Sequence, residues 1–159
     1  MPTLAEFNQS DVRDLLTTCL AVPRWVDAVL AGRPYVDVNA LLTASDAATP
    51  LLPDEVHAAM AAHPRIGEKA SGSSTSASWS RSEQSGVDDS TATAFAAANA
   101  EYEQRFGHVY LVCASGRDGE ELLDDLRGRL GNDAETELEV AGRELAKIAK
   151  LRLEKAVKQ

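Results

Sequence analysis

His63 is an ionisable side chain at a position where the local pattern favours an apolar one. It closes the run 53–63, which begins with a proline and acidic residues suited to the first turn of a helix. At about 100° per residue it shares a face with Val56 and Met60, and Pro64 disfavours helical geometry at His63, so the helix is predicted to end there. An imidazole transfers protons near neutral pH. The alternative is a buried histidine satisfied by a backbone carbonyl.

Arg152 is the second such side chain. It falls within the apolar stripe of the last predicted helix, two turns after Leu145. A guanidinium stays charged and is rarely buried without a partner, so we expect an anion beside it, either a protein carboxylate or a ligand. The alternatives are a purely structural ion pair and an arginine whose charged end reaches solvent.

A run of hydrogen-bonding side chains forms the third feature: Ser80, Arg81, Ser82, Glu83 and Gln84. Such a cluster can position a small polar substrate. Ser80 followed by Glu83 also fits a helix-capping box. The small, polar stretch 68–77 before it is interpreted as a surface loop or as an active-site lid.

Metal and nucleotide sites find little support in the sequence. His57 and His63 have neither successive-turn nor His-Glu-x-x-His spacing. Cys19 and Cys113 have no ligand at metal-binding distance along the chain. Glycine-rich phosphate loops and a nucleophilic serine elbow are missing as well. We therefore expect no metal and no nucleotide cofactor.

Composition sets broad limits on function. The chain has 159 residues, a length that predicts one domain over 1–159. Its formal charge of −9 argues against binding to nucleic acids or to anionic membranes. Two cysteines within apolar runs are typical of buried thiols in a reducing compartment. With no leader, membrane span or peroxisomal terminal tripeptide recognised, we expect a cytoplasmic protein.

The pattern along the chain predicts an all-α, single-domain helical bundle. Thr3, Ser10, Asp37 and either Asn132 or Asp133 are predicted helix caps. The predicted helices are a short one after Thr3, then 11–20, 23–31, 38–44, 53–62, one resuming near 79, 88–106, 117–130 and about 133–157. Residues 108–114 form one short, apolar, extended segment without a second strand to pair with.

The ordered motifs of the chain resemble those of the OHCU (2-oxo-4-hydroxy-4-carboxy-5-ureidoimidazoline) decarboxylases of urate degradation. The motifs are His63-Pro64 with Gly67, Ser80-x-x-Glu83-Gln84, Asn99-x-x-Tyr102-x-x-x-Phe106-Gly107, Leu111-Val112-Cys113-Ala114, Arg129-Leu130-x-Asn132, Glu137-Leu138 and Lys147-Ile148-x-x-Leu151-Arg152-Leu153. The resemblance covers nearly the whole chain.

This resemblance implies an all-helical homodimer that uses no cofactor and converts an anionic imidazoline to (S)-allantoin in purine catabolism. It makes His63 the catalytic acid/base, with Glu83 and Arg152 as its partners. The residues it assigns to the substrate are Pro64, Ser80, Arg81, Ser82, Glu83, Gln84, Tyr110, Leu111, Val112, Cys113 and Ala114.

Such a reaction suits these groups, because the substrate carries its carboxylate beside a ring C=N that accepts the electrons when carbon dioxide leaves. Arg152 is able to pair with an anion bidentately, and His63 is able to move the proton. Two other functions stay open at this point: a metal-free hydrolase of a cyclic ureide, and a non-enzymatic acidic helical module that binds a partner protein.

Overall fold

The computed structural model describes residues 2–63, 75–87 and 91–159, with side chains from residue 78 onward in the middle range. In these ranges the helices are α1 (Leu4–Gln9), α2 (Arg13–Cys19), α3 (Pro23–Ala31), α4 (Val38–Ala47), α5 (Pro53–Met60), α6 (Thr75–Glu83), α7 (Ala92–Phe106), α8 (Gly119–Arg129) and α9 (Ala134–Ala156). The described residues contain no strand, and an isolated bridge joins Thr3 to Lys158. The predicted all-α fold is confirmed. None of the described helices is long and apolar enough to cross a lipid bilayer.

Several helix boundaries follow from local signals. The side chains of Thr3, Asp37 and Asp133 each accept a hydrogen bond from an amide in the first turn of α1, α4 and α9, satisfying a donor that the helix leaves unpaired. Pro23 begins α3 as predicted. Gly107 ends α7 with φ of 77°, a left-handed conformation that glycine adopts at little steric cost.

Two predicted boundaries near the N-terminus and at α5 are wrong. Ser10 ends α1 and does not cap α2, whose N-cap position is taken by Val12 without a side-chain hydrogen bond. α5 ends at Met60, not at His63. Residues 61–63 form a tighter turn, in which the His63 amide donates to the Met60 carbonyl over 3.1 Å.

The stretch around residues 68–90 also departs from expectation. α6 begins at Thr75, so the last residues of the predicted loop 68–77 are helical, while residues 68–74 lie outside the described residues. α7 begins at Ala92 and not at 88, and residues 88–90 are likewise outside the described ranges. Further along the chain, α8 begins at Gly119 and not at the predicted residue 117. Asp118 is its N-cap, and the Asp118 side chain accepts a hydrogen bond from the Glu121 amide.

Buried apolar side chains form two clusters. The first lies among α1 to α5 and α9, with Trp25, Leu41 and Leu145 fully buried. α9 passes close to α5 at Gly142, where an added Cβ would lie 3.3 Å from a Val56 methyl group. The second cluster is built by α7, α8 and neighbouring residues. The long α9 therefore serves as the support on which α2, α4 and α5 pack.

The segment 110–114 runs between the two clusters. Leu111 belongs to the first cluster, whereas Tyr110, Val112 and Ala114 belong to the second. Successive side chains of an extended backbone point in opposite directions, so this alternation explains why the segment is neither helical nor exposed. Residues 108–114, predicted to be one extended apolar segment, lie in no helix and pair with no strand in the described part of the chain.

Candidate active site

The candidate site lies where three elements meet: the turn after α5, the C-terminal half of α6 and the C-terminal part of α9. α6 brings in Ser80 and Glu83, α9 brings in Arg152, and the turn carries His63. Apolar faces of α9 and α2 pack together, which holds Arg152 inside the protein. The site is therefore assembled from parts of the chain that are remote in sequence.

Arg152 is 1% exposed and makes four hydrogen bonds with three partners. Its Nε and Nη2 donate to the two carboxylate oxygens of Glu83 over 2.8 and 2.9 Å. Nη1 donates to the Thr18 carbonyl over 2.7 Å, and Nη2 also donates to the Ser80 hydroxyl over 3.3 Å. The ring of Trp79 lies 5.6 Å from the guanidinium carbon, within cation–π range.

The anion expected beside Arg152 is thus a carboxylate of the protein. A bidentate arginine–carboxylate pair is both stronger and more directional than a single contact. Because Glu83 occupies the Nε–Nη2 edge, the bidentate pairing that the sequence suggested for a ligand is made here by Glu83. The ion pair fixes the direction of the Glu83 side chain as well as neutralising Arg152.

His63 and Glu83 line one small cavity. Its lining among the described residues comprises His63, Ser80, Glu83, Gln84, Tyr110, Leu111, Val112, Ala114 and Ile148. The cavity volume is about 20 Å³, which is room for about one water-sized group. An imidazole and a carboxylate therefore face the same space, with the guanidinium directly behind the carboxylate.

Burial controls the protonation of the groups around Arg152. Burial, followed by the positive charge of Arg152, lowers the pKa of His63 from 6.5 to about 4, so its imidazole is neutral at neutral pH. Burial raises the pKa of Cys19 to about 12, against the opposing effect of Arg152. This thiol therefore stays protonated, and a neutral His63 is a proton acceptor.

The other residues assigned to the substrate are divided by the structure. Ser80, Gln84, Tyr110, Leu111, Val112 and Ala114 lie on the cavity wall. Arg81 and Ser82 are exposed, because they occupy the opposite face of α6 from Ser80 and Glu83. Cys113 is half-buried, and its amide donates to Glu144 over 3.1 Å. Pro64 lies outside the described residues.

The interpretation of Ser80 as a helix cap is wrong. Ser80 lies inside α6, is 4% exposed, and its hydroxyl accepts from Arg152. Glu83 is the last residue of α6 and turns toward Arg152, not toward an N-cap amide. The capping pattern in the sequence was coincidental, since these side chains are paired with a helix at the far end of the chain.

Sequence reasoning missed three contributors to the site: the Thr18 carbonyl, the Trp79 ring and Ile148. A backbone carbonyl has no residue-type signal. Trp79 directly precedes Ser80, and Ile148 lies one helical turn before Arg152, so position beside the candidate residues was the available clue for both. Within the described ranges, no group of three or more His, Cys, Asp or Glu side chains is arranged to hold a metal ion.

The chain is similar in sequence to a protein named for uric acid degradation and to a named decarboxylase. The chain is 40% identical over 103 residues to the uric acid degradation bifunctional protein TTL of Arabidopsis thaliana, covering 61% of this chain and 32% of that protein. It is 43% identical over 56 residues to the 2-oxo-4-hydroxy-4-carboxy-5-ureidoimidazoline decarboxylase of Amia calva, covering 35% of this chain and 32% of that protein. The matches thus span about a third of the length of these curated relatives.

Two solved structures share the fold. A crystal structure of OHCU decarboxylase in the presence of (S)-allantoin superposes with a TM-score of 0.72 at 26% identity, covering 89% of this chain and 96% of that one. A crystal structure of (S)-allantoin synthase gives a TM-score of 0.66 at 17% identity, covering 98% of this chain and 54% of that one. The second likeness concerns the fold alone.

The family model for OHCU decarboxylase matches residues 5–154. This span includes α2, α5, α6 and all but the last two residues of α9, the helices that carry or adjoin Arg152, Glu83 and His63. The protein belongs to the OHCU decarboxylase family.

Proposed function

We propose that this protein decarboxylates 2-oxo-4-hydroxy-4-carboxy-5-ureidoimidazoline to (S)-allantoin, a carboxy-lyase reaction of urate degradation. Family membership and the fold shared with a decarboxylase crystallised in the presence of (S)-allantoin support the assignment. The observation that carries it is the placement of His63 and the Arg152-bound carboxylate of Glu83 on one cavity.

The chemistry follows from the substrate. The ring carbon that bears the carboxylate and hydroxyl adjoins a ring C=N. When its bond to the carboxyl carbon breaks, the electron pair forms a ring C=C, and the former C=N pair moves onto nitrogen, which takes a proton. The neighbouring carbon then gains a proton while the hydroxyl loses one, giving the carbonyl of allantoin. Because the ring is its own electron sink, we propose that no cofactor is needed.

In this proposal His63 carries the proton. It is neutral in the free protein, so it first accepts a proton from the substrate hydroxyl and then, as imidazolium, has one to donate to the ring carbon. Glu83 stabilises that imidazolium and orients it, and Arg152 keeps Glu83 in place. A proton delivered from one wall reaches one face of the ring, which accounts for a single enantiomer. The cavity of about 20 Å³ is smaller than an imidazoline, so binding must widen it.

The remaining contacts form the second part of the proposal. Ser80, Gln84 and the backbone of 110–114 supply the polar groups that hold the ring and ureido substituent. Pro64, Arg81, Ser82 and Cys113 stay predicted contacts from the family resemblance. A homodimer, a single domain over 1–159 and a cytoplasmic location also stay predictions; light scattering on the purified protein tests the first.

The test is decarboxylation of freshly generated substrate, followed by carbon dioxide release and by circular dichroism of the product above the spontaneous rate. His63→Gln should lower kcat at least 100-fold, since proton transfer by a positioned group contributes about 10²–10⁴-fold. His57→Gln is the matched control, because His57 is exposed on α5, the helix that directly precedes the turn carrying His63. Near-normal initial rates in His63→Gln, or a racemic product from the wild-type protein, would refute the assignment.

A further inference from the structure

The backbone of the segment 110–114 needs hydrogen-bond partners that no helix or sheet supplies; we call the side chains that supply them anchors. Its residues lie in no helix or strand, yet it forms one wall of the cavity and most of it is buried. Buried backbone amides and carbonyls without a partner are costly. Two charged side chains from neighbouring helices meet this need, one at Leu111 and one at Cys113.

The first anchor is Arg129 of α8. It is 5% exposed, and its Nη1 donates to the Leu111 carbonyl over 2.7 Å. Its guanidinium lies 4.7 Å from the centre of the Tyr110 ring and pairs with the fully buried Glu137. This anchor sits within the second core cluster, so any change to it also disturbs packing.

The second anchor is Glu144 of α9, which is 6% exposed. Its Oε1 accepts from the Cys113 amide over 3.1 Å, and its Oε2 accepts from Lys147 over 2.6 Å. Lys147 is largely exposed, with 64% of its side chain accessible. The lysine therefore neutralises the carboxylate from the solvent side, while the other oxygen faces the wall segment.

Glu144 also shares its helix face with the site. Residues 144, 148 and 152 are separated by one helical turn each and lie on the same face of α9. Ile148 lines the cavity and Arg152 holds Glu83. One rigid helix thus fixes the spacing between the Cys113 amide on one wall and the Glu83 carboxylate on the other.

We propose that Glu144 is a positioning residue for the cavity: by holding the Cys113 amide, it sets the distance of the 110–114 wall from the Arg152–Glu83 pair. The inference rests on the proposed function only for its kinetic effect. The hydrogen bonds of Glu144 go to the Cys113 amide and to Lys147, and not to His63, Glu83 or Arg152. Loss of the Glu144 carboxylate therefore weakens substrate binding without altering proton transfer. KM should change more than kcat, and the pH profile should stay unchanged.

The experiment compares variants that separate the hydrogen bond from the charge. Glu144→Met removes the acceptor at similar length, Glu144→Asp keeps the charge but shortens the reach, and Glu144→Gln keeps an acceptor oxygen without charge. Lys147→Met is the matched control, because it removes the exposed ion pair and leaves the hydrogen bond. We expect KM to rise about tenfold, the effect of 1.4 kcal/mol, in the Met and Asp variants. The Gln and Lys147→Met variants should stay within about twofold of wild type.

Hydrogen exchange at the Cys113 amide gives a readout independent of activity. It should be faster in Glu144→Met and Glu144→Asp than in wild type, and close to wild type in Glu144→Gln. If exchange is faster in Glu144→Met and Glu144→Asp while the wild-type protein releases no carbon dioxide, the proposed function fails and the anchoring role of Glu144 stands. An unchanged exchange rate and KM in both Met and Asp variants would overturn the positioning role, as would an equal loss in Glu144→Gln. If Glu144→Met does not fold, the Asp and Gln pair decides.

Discussion

Lowering the pH from 7 to 5 should destabilise the folded protein through His63, and His63→Gln should remove this sensitivity. The folded-state pKa of His63 is lowered to about 4 by burial and by Arg152, whereas an unfolded chain has the ordinary value of about 6.5. Between these values the unfolded chain binds a proton that the folded chain does not. Stability is therefore complete above pH 6.5 and declines as the pH falls toward 4.

The magnitude follows from the two pKa values. A tenfold change in a protonation equilibrium corresponds to about 1.4 kcal/mol, so the full effect of His63 is roughly 3 kcal/mol. Between pH 7 and pH 5, most of the unfolded-state titration occurs while the folded imidazole stays largely neutral. The loss expected over that interval is about 2 kcal/mol. Carboxylates with lowered pKa values, such as Glu55 and Asp133, titrate lower and are shared by wild type and variant.

The assay is urea unfolding at pH 7 and pH 5, followed by far-ultraviolet circular dichroism. The free energy of unfolding of wild type should fall by about 2 kcal/mol more than that of His63→Gln, because glutamine has no proton to gain. His57→Gln, altered at an exposed position of α5, the helix before His63, should keep the wild-type dependence on pH. Parallel losses in wild type and His63→Gln would show that the imidazole is not held neutral by its surroundings, and the reasoning on its charge would fail.

Three further perturbations test the buried ion pair, the cap of α9 and the end of α7. Glu83→Gln leaves the Arg152 guanidinium buried without its counterion, and the unfolding free energy at pH 7 should fall by about 3–5 kcal/mol; a loss below about 1 kcal/mol would mean the pair is effectively solvated. Asp133→Ala removes the N-cap of α9 and should lower stability by about 1 kcal/mol in thermal unfolding, and an unchanged melting temperature would contradict the cap. Gly107→Ala places a side chain at φ 77° and should cost about 1–2 kcal/mol, whereas Gly128→Ala, inside α8 with open space at its Cβ, should be neutral or stabilising in the same melts; equal effects would refute the conformational argument.

Helix ends were predicted correctly where a few adjacent residues determine them. The caps at Thr3, Asp37 and Asp133 and the stop at Gly107 depend on a few adjacent residues. The Ser10 prediction failed because Ser10 ends the preceding helix, while the first amide of α2, that of Arg13, donates to the Asp11 carboxylate over 3.1 Å.

The environment of Arg152 was predictable only in part. A charged residue within an apolar stripe indicates a buried counterion, and that inference needs no knowledge of the fold. Which carboxylate fills the role depends on contacts across 69 residues, and the Thr18 carbonyl lies 134 residues away along the chain. Glu83 could therefore be assigned beside Arg152 only through the family resemblance. The sequence suggested that Arg152 pairs bidentately with a ligand, whereas in the structure Glu83 makes that bidentate pair.

His63 and Glu83 contribute to folding with opposite signs, and this separates a catalytic role from a structural one. Burial of His63 makes the protein less stable below pH 6.5, so protonation of its imidazole opposes folding. Glu83 neutralises a buried guanidinium, so loss of activity in Glu83→Gln does not distinguish chemistry from misfolding. We expect His63→Gln to be more stable than wild type at pH 5 and yet to lack activity. This combination would assign the imidazole to the reaction and not to folding. Glu83 lines the same cavity, and its proposed role is to orient that imidazole.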